Sequence, residues 1–162
     1  MRGFWVFAVI MLTFAGCNKK DNNKNPEGFI PPSDGLIRKS QAARYVNVSV
    51  ALNRAVNDEA KRIEEFRKKY NISEDMNEIY DEKYKKAHPE VAKAWEELNR
   101  KWKIVQDSIY KTNNMSEKEF NWVAGALINP KNKPMQEYIE RQIRKLEGTI
   151  SEKTVQPLKE KK

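Results

Sequence analysis

Apolar residues recur along this chain at three- and four-residue intervals, and that spacing predicts helices. Between Leu36 and Tyr70, Leu52, Val56, Ile63, Phe66 and Tyr70 fall on one face, with Val48, Ala55 and Ala60 beside them. One piece, YVNVSV (45–50), alternates apolar and polar residues as a strand does. No turn residues bound it and alanine-rich helical sequence flanks it. Helix is therefore expected throughout, with room for a bend near Asn47 to Ser49.

The segment NIS (71–73) interrupts the pattern, and Ser73 is expected to cap a short helix carrying Met76, Ile79, Tyr80 and Tyr84. HPE (88–90) ends that helix, and Pro89 suits the first turn of the next one, where a missing N–H leaves no bond unmade. There Val91, Trp95, Leu98, Trp102, Val105 and Ile109 repeat as a heptad seam, whose tryptophans imply a thick, filled contact. Asn113 and Asn114 close it. In MSEKEF (115–120), Ser116 and Glu119 have the spacing of a capping box, with Met115 and Phe120 at the staple positions. Ala124, Gly125 and Ala126 would let a neighbouring helix approach closely. A last helix is expected from near Pro134, through Met135, Ile139, Ile143 and Leu146, to a stop at Gly148.

No repeat of solenoid period is present. Short connections between amphipathic helices point to an all-α fold, a single antiparallel bundle of about four to five helices spanning 36–148. Residues 149–162 are expected to form a basic, disordered tail. Residues 18–35, NKKDNNKNPEGFIPPSDG, are rich in asparagine and proline and poor in core-forming residues. They read as a flexible tether with a stiffer IPP piece, although Phe29 and Ile30 have the means to dock on the folded body.

The chain opens MRGFWVFAVIMLTFAG before Cys17, the only cysteine. A basic start, an apolar run from Phe4 to Ala15 and small residues next to the cysteine describe a bacterial export signal. The run falls short of the roughly 20 apolar residues that span a bilayer. FAGC, Phe14 to Cys17, resembles the lipobox of bacterial lipoproteins. That resemblance implies diacylation of the Cys17 thiol, cleavage after Gly16 and acylation of the new amino group. A lone thiol has no disulfide partner in an oxidising compartment, which agrees with lipidation. The organisation then reads as signal peptide (1–16), lipidated cysteine and tether (17–35), helical domain (36–148) and tail.

Net charge is +8, and loss of residues 1–16 removes Arg2 alone among charged residues, leaving +7. Charges of both signs are interspersed, as in EAKRIEEFRKKY (59–70), so most are solvated helix faces. The surplus still allows weak attraction to anionic lipid or cell-wall surfaces; an exported lipoprotein has little occasion to meet nucleic acid.

No catalytic constellation stands out. His88, the single histidine, would need an acid–base partner, and Glu82 or Glu90 could approach it, but as a cap or exposed turn residue it needs none. Glu74, Asp75, Glu78, Asp81 and Glu82 lack the alternation and glycine of an EF-hand loop. RKWK (100–103) mixes basic and aromatic residues as single-strand binders do, but Trp102 belongs to the seam. No glycine-rich phosphate loop is present, and no metal or cofactor is expected. The expectation is a lipid-anchored, non-enzymatic adaptor or accessory subunit of the cell envelope, held by Cys17 at the outer membrane and facing the periplasm beside an envelope protein partner. A holdase for unfolded envelope proteins is the alternative, and would need an exposed concave apolar face.

Overall fold

A computed structural model describes residues 28–154, with side chains placed through Gly148. Among these residues there are five α-helices and no strand: α1 (Lys39–Tyr70), α2 (Glu82–Ala87), α3 (Pro89–Thr112), α4 (Glu117–Ala126) and α5 (Lys133–Thr154). Single 3₁₀ turns stand at Asn77–Tyr80 and Pro130–Asn132. The all-α bundle expected from the apolar spacing is the fold.

α1 is the spine. Its 32 residues rise about 48 Å. It stops where Asn71 turns left-handed and the Ile72 N–H reaches back to the Arg67 carbonyl at 3.0 Å. YVNVSV lies within this unbroken helix, and Val46, Val48 and Val50 are all buried. Two residues along a helix turn through about 200°, so Val48 faces opposite to its two neighbours. The alternation in the sequence therefore marks a helix covered on both sides, here by α3, α4 and α5.

α3 returns along α1. The Phe66 ring lies 5.4 Å from Trp95 near the top, and the α3 residues Ile109 and Tyr110 join Val46 and Val48 near the bottom. α4 continues downward, stacking Phe120 on Tyr45 and ending at Ala126, level with Gly35. α5 then climbs: Asn132 bonds Ile37 at its base, and Glu147 accepts from Asn53 higher up at 3.1 Å. Consecutive passes are thus antiparallel. The first and last run parallel, because three passes bring the chain back to its starting direction.

Burial is divided between two clusters. The lower joins Ile37, Ala42, Val46 and Val48 to Met115, Val123 and Ile139; the upper joins Phe66, Ile72, Ile79 and Val91. The α3 seam accordingly differs from expectation. Val91 is its only fully buried member, and the middle residues Trp102 and Val105 are half-buried and belong to neither cluster. α4 and the described part of α5 contribute to the lower cluster alone, so α1 is the neighbour along mid-seam.

Local signals resolve in other ways too. Asp81, not Ser73, caps the short helix, its carboxylate accepting the Lys83 and Tyr84 N–H groups. A 3₁₀ turn precedes it, entered through Met76, which is left-handed at φ 54°. Gly125 faces open space rather than a close neighbour. α5 runs through Gly148 to Thr154, since Gly148 does not take the positive φ that would terminate a helix. Residues 28–35 lie along the bundle, with Phe29 against Trp122.

Candidate functional site

Cys17 and the lipobox lie outside the described residues. The described chain begins at Gly28 and travels down α4 before turning up into α1. The Phe29 and Trp122 ring centroids are 5.4 Å apart, tilted by 50°. A tight turn follows, closed by the Gly35 N–H donating to the Pro32 carbonyl at 3.0 Å, with Gly35 at φ 68°. Asp34 accepts the Leu36 N–H at 3.0 Å and the Arg38 guanidinium at 2.8 Å. These bonds, the Leu36 one foremost, hold its carboxyl below the ordinary range.

Asn132 locks this path. It is 1% exposed, and its Oδ1 accepts the Ile37 N–H at 2.9 Å. Its Nδ2 donates to the carbonyls of Gly35, at 3.0 Å, and Ala126, at 2.9 Å. One side chain thereby joins the start of α1, the end of α4 and the start of α5, and satisfies backbone groups that a buried loop would otherwise leave orphaned.

Ser116 caps α4 as its spacing predicts, its Oγ accepting the Glu119 N–H at 3.0 Å. The Glu119 carboxylate turns away from that box toward α1, where it accepts Arg44 at 2.6 Å and Gln41 at 3.1 Å. Beside it, Phe120 stacks on Tyr45 at 4.6 Å and meets the edge of Tyr110 at 5.8 Å. Burial, then the nearby Glu117 and Asp107 charges, push the Tyr110 phenol up to about 12. Burial also raises that of Tyr45.

The residues considered for chemistry are dispersed. His88 joins α2 to α3 in an exposed position, 3.7 Å from the Glu90 carboxylate and 4.3 Å from the Tyr84 ring. Glu82 pairs with Lys85 instead. The acidic stretch organises its own loop: the Ser73 hydroxyl lies 2.5 Å from both the Asp75 and Glu78 carboxylates, and Asp81 serves as a cap. Among the described residues, no three His, Cys, Asp or Glu side chains are arranged to hold a metal ion. In RKWK, Arg100 and Lys101 both pair with Glu97. A shallow depression of about 320 Å³ is lined by Val50, Asn53, Arg54 and Glu147. No described helix is long and apolar enough to cross a membrane.

Sequence reasoning missed Asn132 and the Glu119–Arg44–Gln41 group, whose partners, Ala126 apart, lie 75 to 97 positions away. It also missed Glu59, a buried carboxylate on α1 that accepts Arg62 through one oxygen and leaves the other without a hydrogen bond. An asparagine set between Pro130 and Pro134 was the one available hint of a special turn. Comparison of the chain with family models, curated proteins and solved structures finds no match.

Proposed function

We propose that this protein is a lipid-anchored, non-enzymatic component of the bacterial envelope, held to the outer membrane through Cys17 and acting as an adaptor for an envelope protein. The observation that carries the reading is the FAGC sequence placed directly after a basic start and a short apolar run. A helical bundle with its own core is suited to presenting a surface at a fixed distance from a membrane. The adaptor part draws support from mid-α3, where Trp102 and Val105 are half-buried and Ile104 is 54% exposed, with Val56 of α1 49% exposed. The depression at Val50 is shallow and has four lining residues, which gives the holdase alternative no specific support.

Two measurements test the reading. Growth with an alkyne-tagged fatty acid should label the full chain and leave Cys17→Ser unlabelled. Cys17→Ser should also leave the membrane fraction while keeping the circular dichroism of the parent. A variant that still pellets with membranes after a high-salt wash overturns the anchor. The adaptor part fails if crosslinkers placed at Ile104 and Val56 capture no defined partner in intact cells.

A further inference from the structure

We propose that the lower end of the bundle, built from residues 28–37 and the α4–α5 loop, rests on the anionic phospholipid surface, with Ile30 and Ile128 as its apolar contacts. The inference rests on lipidation at Cys17 and adds the face that the anchor turns toward the membrane.

Three observations converge on this end. Ile30 and Ile128 are 85% and 88% exposed, the highest values for large hydrophobic side chains among the described residues; Tyr80, at the opposite end, follows at 59%. Residues that bare, next to a lipid surface, gain free energy by burial in the interfacial layer. Their surroundings are cationic on balance: the one carboxylate of residues 28–37, Asp34, is paired with Arg38, whereas Lys131 and Lys133 are exposed and have no ion-pair partner among the described residues. The N-termini of α1 and α5 both open here, and neither has an acidic residue in its first turn. At the far end Lys68 and Lys85 are paired with glutamate while Lys83 and Lys86 are exposed without an ion pair among the described residues, so the choice of end rests on the two isoleucines and on reach.

The third observation is reach. The eleven residues from Cys17 to Gly28 span at most about 36 to 40 Å when fully stretched. The chain emerges beside Trp122, between the levels of Tyr45 and Gly35 and thus alongside the first turns of α1. The far end of α1 is roughly 40 Å further on. An inverted molecule would need its linker drawn taut, whereas the proposed pose leaves it slack.

The test uses the mature, lipidated full chain, in which the Cys17 thiol is blocked as a thioether. An environment-sensitive dye is attached in separate variants at Ile30→Cys, Ile128→Cys, Ile104→Cys and Tyr80→Cys, all exposed positions that leave the core intact. Each protein is reconstituted in phosphatidylethanolamine–phosphatidylglycerol vesicles and recovered by flotation. Expected are a blue shift and quenching by a lipid-borne quencher at positions 30 and 128, with neither at 104 or 80. Flotation with equal signals at all four positions, or with signal at 104 or 80 alone, overturns the proposed face and leaves the anchor standing. Failure to float overturns the anchor itself, and the proposed face with it.

Discussion

Asn132 and Ile37 stand 95 positions apart in sequence, and the amide oxygen of the first accepts the backbone N–H of the second at 2.9 Å in a buried setting. The same amide donates to Gly35 and Ala126, so replacing it strands one N–H and two carbonyls together. Each buried group left unpaired costs about 1–3 kcal/mol, partly recovered where water enters. Asn132→Ala is expected to lose about 2–4 kcal/mol in a denaturant melt. Asn132→Asp keeps the acceptor and loses both donated bonds, so it should not rescue. Limited proteolysis should cut both variants within 28–37 well before the parent. A melt within 0.5 kcal/mol of the parent would show that the segment is held by Phe29 on Trp122 instead.

The second prediction concerns Glu119 and Arg44, paired at 2.6 Å with the carboxylate largely covered and the guanidinium about one-third exposed. Gln41 shares the same oxygen, so removing Glu119 leaves two donors without it. Glu119→Ala should cost about 2–3 kcal/mol, and Glu119→Gln less, since it retains an acceptor and gives up only the charge. A double-mutant cycle with Arg44→Ala should return a coupling of about 1–2 kcal/mol. Zero coupling would assign the Glu119 effect to its place in α4 rather than to the contact across helices.

The seam of α3 supplies the third. Phe66 is buried in the upper cluster between Tyr70 and Trp95, and Phe66→Ala should cost about 3–5 kcal/mol. Trp102 is half-buried outside both clusters, so Trp102→Ala should cost only about 1–2 kcal/mol. If the two variants melt alike, mid-α3 is as well packed as the ends.

Helix positions were legible because periodicity and caps are local: Pro89 at the start of α3 and Ser116 before α4 needed only neighbours in sequence to be read. The seam was legible as a face, but its burial was not, because burial depends on which helices reach that height. YVNVSV reads as helix from its flanks, and α1 runs through it unbroken, although its alternation alone is ambiguous for a related reason. A period of two arises from a strand with one wet side and equally from a helix covered on opposite sides; the flanking sequence chose helix, and the tertiary neighbours of Val48 explain the period. The Asn132 clasp and the turn of Glu119 toward α1 were illegible because their partners are remote. The proposed anchor is the reverse case: Cys17 is marked by sequence alone and lies outside the described residues.

Gly125 tests the opposite kind of change. It lies inside α4 with ordinary helical backbone, and a methyl group there would meet nothing within 4 Å. Gly125→Ala should therefore stabilise the protein by about 0.5–1 kcal/mol, through lower backbone entropy in the unfolded chain. A loss of stability in the melt would mean that α4 packs closely against a neighbour through this position.

The last prediction follows from Tyr110, whose phenol is pushed up to about 12 from the ordinary 10.0 by burial first and by the Glu117 and Asp107 charges after it. Below about pH 9 the phenol is protonated in both folded and unfolded chains and adds no pH dependence. Between about 10 and 12 the unfolded chain releases this proton and the folded chain keeps it. The unfolded state then binds fewer protons, so stability falls as pH rises through that window. Tyr110→Phe removes this contribution while leaving every other alkaline titration in place. Relative to the parent, the variant should therefore gain stability steadily from pH 9.5 to 12, whatever its offset at neutral pH. Absorbance titration of the folded proteins gives an independent reading: the parent-minus-variant difference should show one phenolate appearing near pH 12. A difference step near pH 10 would mean that Tyr110 is open to water, and would place the junction of α3 and α4 further from Tyr45 than the Phe120 stack requires.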